Sequence, residues 1–380
     1  MRHTQSLKLM YGKSVALFIQ TPIFVLLLLL IFAATPNSAG AKEKTIESIA
    51  EGKLEKPTMT AGPFPISRKY RSMEGPYVDF NLSVGEIIDT GNLSTTEAHV
   101  RYTEKSTPEA PPLEVRNKHE QDRKLYWFKG MKVEVLDEND KALPSSEFVC
   151  HVNLDSDLVF RQSVFPEAEK ASSGRLLCLT QGLTEIFFPE GFAVPVASDE
   201  PWRIITQVAN RTTEKTRTLK HRLTFYFEDD QYLLKPVKAL SWSIPYLAVV
   251  VDRNTKKAQT NEAAQHAQCA MAPSGVDAPN SVAGSVWDDS YGRKRSSHWV
   301  VPPGKHDYSN PVNTPNFADK DRVIHTAWAH IHPFCEEFSL AKCDGQPDSE
   351  NIFSGKARTK TSKGIEIQEI DLISSNAGLP

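Results

Sequence analysis

The sequence lacks the short signatures of several common enzyme classes. It contains no G-x-S-x-G, no H-E-x-x-H, no Walker phosphate loop and no G-x-G-x-x-G. A serine hydrolase, a zincin and a nucleotide-binding enzyme therefore lose their usual support. The cysteines also form no C-x-x-C, which argues against a thioredoxin-type redox pair and against a paired-cysteine zinc site.

Acidic residues are absent from the first 41 positions, which carry Arg2, Lys8 and Lys13 before an apolar run over residues 15–34. This order is typical of a secretory signal peptide, and the small residues at 39–41 predict cleavage after position 41. The alternative is an uncleaved anchor, because the apolar run approaches the roughly 20 residues that span a bilayer. In both cases the rest of the chain is translocated, so we expect an exported protein, periplasmic or extracellular, that contacts a membrane only if the signal segment is retained.

The chain has no strong excess of charge of either sign. Its formal net charge is −3, and removal of the signal segment takes away three basic residues and no acidic one. A mildly acidic protein is a poor ligand for polyanions, so we expect no nucleic-acid partner. The partner class that remains is a small molecule or a protein of unknown identity.

Long stretches of helical periodicity are scarce, whereas short alternating apolar runs recur between turn residues. Examples are KLYWFKGMKVEVL, SEFVCHVNL, WRIITQVAN and HRLTFYF. Alternation with period two predicts strands, so the expected fold class is all-β, with β-sandwiches favoured. The predicted segments are a signal peptide at 1–41, a flexible leader at 42–76, a first β-sandwich at 77–230, a second at 231–350 with a polar insert at 255–295, and a C-terminal tail at 351–380.

The number of cysteines is odd, which leaves at least one thiol unpaired within a monomer. An oxidising compartment favours disulfides among the rest. Cys335 and Cys343 flank the short segment EEFSLAK, and we expect them to staple a hairpin. The remaining cysteines, whose pairing the sequence leaves open, are Cys150, Cys178 and Cys269.

Histidines concentrate in the C-terminal third of the chain. In VIHTAWAHIHPF the alternation predicts a strand that places His330 and His332 on one face, where two imidazoles can chelate one metal ion. His298 and His306 are the nearest candidates for a third ligand, and His325 is a further candidate, although its strand parity is opposite unless a bulge intervenes. Nitrogen ligands suit copper, with zinc as the alternative, and we expect one ion. The competing interpretation is that these histidines are structural.

Two other pairs are weaker candidates for chemistry. Cys150 and His151 are neighbours, but adjacent residues of a strand face opposite sides, so a core cysteine beside a hydrogen-bonded histidine is favoured over a nucleophile and its base. Glu185 and Glu190 would suit glycoside hydrolysis only if the fold positioned them. A hydrolase or lyase therefore has no positioned acid–base pair in the sequence.

Four segments carry a family resemblance: CHVNLD, LTQGLTEIFFPEGFAVPVASDEPWRIITQVAN, SSHWVVPPGKHDYSN and VIHTAWAHIHPFCEEFSL. Over most of residues 77–345 the chain resembles the stress up-regulated nodulin family, which is similar in pattern to copper type II monooxygenases of the peptidylglycine α-hydroxylating kind. The resemblance implies two consecutive jelly-roll-like β-sandwiches joined near residues 229–240. It also implies copper on a His-His pair plus a later histidine in the first sandwich, and on H-x-H plus a methionine in the second.

The chain departs from that ligand pattern in both halves. The His-His position reads Cys150-His151, the later histidine falls at Ala209 or Asn210, and the last methionine of the chain is Met271. We therefore expect an exported copper-type-II-like domain pair that binds one ion through H-x-H, with residual oxidative or metal-handling activity at most. The alternative is a metal-free secreted protein for interaction or stress response.

Overall fold

A computed structural model describes most of the chain after its N-terminal segment. The described residues are 54–70, 75–90, 92–94, 101–102, 122–166, 174–211, 215–244, 247–252, 254, 287–288, 292–296, 299–309, 322–341, 350–360 and 366–379. Strands predominate among them, so the predicted all-β class is confirmed. The predicted signal peptide lies outside the described residues.

The first twelve strands lie between residues 54 and 229 of the described chain. They are β1 (Leu54–Glu55), β2 (Thr58–Ile66), β3 (Pro76–Ser83), β4 (Asn92–Ser94), β5 (Arg101–Tyr102), β6 (Leu125–Leu136), β7 (Val149–Ser156), β8 (Arg175–Thr180), β9 (Glu185–Phe187), β10 (Phe192–Ala197), β11 (Pro201–Val208) and β12 (Arg217–Asp229).

The later strands are mostly shorter. They are β13 (Lys238–Ala239), β14 (Val249–Val250), β15 (Trp287–Asp288), β16 (Lys294–Ser296), β17 (Thr326–Ala327), β18 (Glu337–Ala341), β19 (Asn351–Lys360), β20 (Glu366–Ile370) and β21 (Ile373–Ser374). The helices of the described residues are α1 (Val84–Thr90), α2 (Leu158–Val164) and a 3₁₀ helix (Asp230–Tyr232). None of them is long and apolar enough to cross a bilayer.

Two large sheets build the body of the fold. The larger has eight strands, with a main path β13-β10-β6-β12-β2-β4, β1 paired to β12 and β9 paired to β6. The second has the order β5-β3-β11-β7-β8. Within the described residues, three small sheets contain β14-β16-β15, β17-β21 and β18-β19-β20. The described residues all belong to one compact unit spanning 49–380, and the boundary between two sandwiches at 230/231 stays a prediction.

Aromatic side chains join the two large sheets. Along β12 every second residue from Leu219 to Phe227 is buried, the alternation expected of a strand with one face on a core. Trp202 of β11 lies 5.1 Å from Phe128 of β6 in an edge-to-face contact and 5.7 Å from Phe227 of β12, measured between ring centroids. Because the partners belong to different sheets, the sheets pack face to face around one hydrophobic core.

Residues from the predicted tail belong to this core. Ile367 and Ile370 of β20 are buried within the same hydrophobic cluster as Trp202. The Ile367 N–H donates to Oε1 of Gln181 at 3.3 Å, and the Ile370 N–H donates to the carbonyl of Gly182 at 3.0 Å. Strand β20, from far along the chain, is therefore hydrogen-bonded to the turn that follows β8. Likewise β2, which lies within the predicted leader, places Met59, Phe64 and Ile66 in this hydrophobic core.

Candidate functional site

The pairing of β7 with β8 brings four polar side chains onto one surface. His151 and Asn153 of β7 lie opposite Thr180 and Cys178 of β8. Residues two apart in a strand share a face, and the opposite face of these strands carries the apolar side chains of the core. All four polar side chains are buried, so this outer surface of the five-stranded sheet is covered.

The thiol of Cys178 makes two polar contacts with side chains, besides a longer one of 3.6 Å to the carbonyl of its neighbour Leu179. Its Sγ lies 3.0 Å from Oδ1 of Asn153, to which the S–H can donate, and 3.0 Å from Nδ1 of His330. The second contact joins the sheet to the segment that contains the H-x-H pattern. Which atom carries the proton in this contact depends on the imidazole tautomer.

Three imidazoles gather beside the thiol. The rings of His330 and His332 stack with centroids 5.2 Å apart and planes inclined by 28°, so one ring lies roughly over the face of the other. The ring of His151 has its centroid 6.1 Å from that of His330. His330 and His332 are exposed to solvent, whereas His151 and Cys178 are buried. The Cys178 cluster, defined as Cys178, His151, His330 and His332, therefore extends from a buried sulfur to the surface.

The local structure around H-x-H differs from the strand that the alternation predicts. Only Thr326–Ala327 form a strand, paired with Ile373–Ser374 of β21. The prediction of a strand through His332 was wrong because the partner strand is only two residues long and leaves no ladder for the following backbone. Trp328 and Ile331 still pack against the hydrophobic core, which anchors the segment without strand pairing.

The other histidines predicted as ligands make contacts elsewhere. Nε2 of His306 lies 3.2 Å from the carbonyl of Pro303, and Nδ1 of His325 lies 3.0 Å from the carbonyl of Ser375. The His325 ring also packs on Phe192, with centroids 4.0 Å apart. These contacts do not bring either imidazole to the H-x-H pair. His298 lies outside the described residues.

The side chains of the cluster are neighbours, but their ligand atoms do not converge on one point as those of a metal site do. Among the described residues, no three His, Cys, Asp or Glu side chains converge as a set of metal ligands. Binding of an ion therefore requires local adjustment of the Cys178 cluster. A hydrogen bond occupies the position between sulfur and nitrogen that an ion would take.

Neither buried cysteine is activated as a nucleophile. Burial raises the pKa of the Cys178 thiol to about 12 and that of the Cys150 thiol to about 11. Reactive cysteines need the opposite shift, since the thiolate is the attacking species. The pairing of β7 with β11 has a bulge at Cys150, so the regular alternation of sides expected from the sequence is interrupted there. The geometry therefore does not support cysteine hydrolase chemistry.

The carboxylates considered for glycoside hydrolysis have separate partners. Oε1 of Glu185 accepts a hydrogen bond from the Tyr226 hydroxyl at 2.8 Å. Glu190 forms an exposed ion pair with Lys235, with 3.8 Å between Oε1 and Nζ. Each carboxylate is thus engaged by a different neighbour, and the contacts do not arrange them as an acid–base pair.

The described cysteines are free thiols. Cys150, Cys178 and Cys335 form no disulfide, so the expected staple from Cys335 to Cys343 was wrong for the Cys335 thiol, which instead donates to the carbonyl of Glu337 at 3.5 Å. Cys269 and Cys343 lie outside the described residues.

Comparisons of the chain with protein-family models, with curated proteins and with solved structures found no match.

Sequence reasoning did not include Cys178 or Asn153 in the site. Both lie in apolar strand segments, RLLCLT and VCHVNLDS, that contain no motif with known ligand spacing. A sequence signal was nonetheless present, because each is a polar or sulfur-bearing residue on the face opposite the apolar positions of its strand. Only the pairing of β7 with β8 shows that the two residues are neighbours.

Proposed function

We propose that this protein is an exported, metal-binding β-sandwich protein that holds one ion through His330 and His332. Copper is the proposed ion and zinc the alternative. The observation that carries the proposal is a stacked pair of exposed imidazoles, one of which, that of His330, lies 3.0 Å from a buried thiol. Imidazole and thiolate are the ligand types that copper and zinc prefer.

The proposed relatives are the stress up-regulated nodulin proteins and, more distantly, copper type II monooxygenases. On that proposal the chain has two jelly-roll-like sandwiches, and the H-x-H pair belongs to the second. The first copper site of that pattern retains only His151. A single-ion protein with metal handling or residual oxidation as its role agrees with this set of side chains better than a two-copper hydroxylase does.

Metal content tests the proposal. Protein isolated from an exported compartment is expected to contain about one copper or zinc ion per chain by elemental analysis. His330→Ala and His332→Ala should each remove the ion, because loss of one imidazole breaks the chelating pair. His306→Ala and His325→Ala serve as matched controls, since their imidazoles contact backbone carbonyls away from the pair. Equal metal content in the pair variants and the controls would refute the assignment.

A second candidate function is a metal-free protein for interaction or stress response. The observation that favours it is that the histidines make ordinary structural contacts, such as that of His325 with the carbonyl of Ser375 and the Phe192 ring. On this proposal His330 holds its segment to the sheet through Cys178. Protein that contains no metal and does not take up added copper or zinc would favour this function over the first.

A further inference from the structure

The buried Sγ atom of Cys178 lies 3.0 Å from Nδ1 of the exposed residue His330. A thiol has one proton, so Sγ cannot donate to both Asn153 and His330. Asn153 Oδ1 is an acceptor and takes the S–H when His330 carries a proton on Nδ1. In that arrangement a sulfur lone pair accepts the imidazole N–H. Asn153 thereby orients the sulfur toward His330.

The distance between these two atoms is close to that of two ligands sharing one ion. With a metal–sulfur bond of about 2.3 Å and a metal–nitrogen bond of about 2.0 Å at a tetrahedral angle, sulfur and nitrogen lie about 3.5 Å apart. The observed separation of Cys178 Sγ from His330 Nδ1 is 3.0 Å. An opening of about 0.5 Å converts hydrogen-bond geometry into ligand geometry. His330 is on an irregular segment beyond β17, which can accommodate a shift of this size more readily than a strand within a sheet.

The Cys178 cluster is open to solvent at one end and buried at the other, as a metal site requires. His332 is exposed beside His330, so an ion can reach the pair from solvent, whereas His151 and Cys178 are buried beneath it. The sulfur would thus be the innermost ligand. An ion that enters this position loses part of its hydration and needs compensating charge from the protein.

Charge then selects among the ions that accept sulfur and imidazole. One thiolate with neutral imidazoles neutralises a monovalent ion, while a divalent ion would keep one uncompensated positive charge at a partly buried position. Thiolates are soft ligands that favour monovalent copper. The neutral complex of a monovalent ion therefore costs less desolvation free energy at the buried end of the cluster than the charged complex of a divalent ion.

We infer that Cys178 is the third ligand of the proposed metal site, after His330 and His332, and that the bound ion is monovalent copper. This inference rests on the proposed function. On binding, the metal–sulfur bond forms as the S–H bond of Cys178 breaks, and the proton passes to solvent. Copper keeps its oxidation state, so no oxidant or reductant is required. His151, 6.1 Å from His330 between ring centroids, is the nearest additional imidazole.

The test is anaerobic titration of the full chain with monovalent copper against a chromophoric copper chelator. The wild type is expected to bind one ion, with sulfur in its coordination shell at about 2.3 Å by X-ray absorption. Cys178→Ser should weaken binding by about 100-fold or more, because even the partners of metal ligands contribute 10–100-fold. The sulfur signal should also disappear. Cys178→Ala repeats the test without a new hydroxyl.

Cys150→Ser is the matched control, since Cys150 is a comparably buried thiol of the neighbouring strand β7. It should bind copper as the wild type does. One ion that requires His330 but shows only nitrogen ligands and unchanged affinity in Cys178→Ser would overturn this inference and leave the proposed function standing. A sulfur-bound zinc ion that copper does not displace would overturn the choice of ion. No binding at all by the wild type would overturn both proposals.

Discussion

Thr206 and His221 join the two large sheets by a hydrogen bond of 2.7 Å between Oγ1 and Nδ1. Thr206 belongs to β11 and His221 to β12, and both are fully buried. The His221 ring also packs against Phe64, with centroids 5.1 Å apart. Burial lowers the pKa of His221 to about 4, so the imidazole is neutral in the folded protein near neutral pH.

The stability of the fold should therefore depend on pH through His221. The unfolded chain protonates this imidazole near pH 6.5 and the folded protein only near pH 4. The resulting stabilisation is fully present above pH 6.5 and is lost as the pH falls toward 4, by on the order of 3 kcal/mol. Urea unfolding at pH 7 and pH 4.5 measures the loss. His221→Gln should show a smaller loss over this interval, and identical losses in both proteins would contradict the assignment.

Removal of one partner of the buried ion pair between Arg161 and Glu200 should greatly lower the free energy of unfolding. Glu200 accepts from Arg161 at 3.1 Å, from the Ser156 hydroxyl at 2.7 Å and from the Trp202 indole at 3.2 Å. Glu200→Ala leaves the Arg161 charge buried without its carboxylate, and we expect a loss of about 3–5 kcal/mol in the free energy of unfolding.

The double variant Arg161→Met with Glu200→Ala, compared with each single substitution, is the control for this prediction. It removes both charges, so its cost should be smaller than the sum of the single substitutions. Urea titration of all the variants gives the comparison. Additive losses would show that Arg161 and Glu200 do not act as a pair.

Thiol labelling should distinguish the described cysteines. Cys335 is half-buried and burial raises the pKa of its thiol, whereas Cys150 and Cys178 are fully buried and burial raises their pKa values to about 11 and about 12. Iodoacetamide at pH 8 should therefore modify Cys335 first in the native protein, and all three at similar rates in denaturant. Peptide mass spectrometry assigns the modified positions. Early labelling of Cys178 would show that its burial is not maintained in solution.

Peptide hydroxylation of the peptidylglycine type should not occur. That chemistry divides its work between two coppers, and the resemblance places the first site where this chain has Cys150 and His151. The proposed second site would lack its methionine ligand, because the last methionine of the sequence is Met271. Oxygen consumption with ascorbate and a glycine-extended peptide after copper loading is expected to equal the rate without peptide. Peptide-dependent turnover with two bound coppers would contradict the prediction.

The sequence contained the information for the fold class but not for the site. Alternation along β12 predicts which side chains face the core, because the two-residue period is a local property. The contact between Cys178 and His330 joins positions 152 residues apart, and no local pattern specifies it. The H-x-H segment was predicted as a strand because its apolar residues alternate. Strand formation also needs a partner, and the length of β21 depends on the tertiary fold.

The docking of β20 on the turn after β8 has a consequence for the order of folding. Gln181 and Ile367 are 186 positions apart, so during synthesis from the N-terminus the turn is made long before the strand that covers it. Until residues 366–370 arrive, the apolar surface that Ile367 and Ile370 cover is open to other chains. Nascent chains with such unprotected surfaces are prone to aggregate and are bound by chaperones. A ribosome stalled before residue 366 should therefore display a nascent chain that is captured by chaperones, whereas release of the longer chain should end that capture.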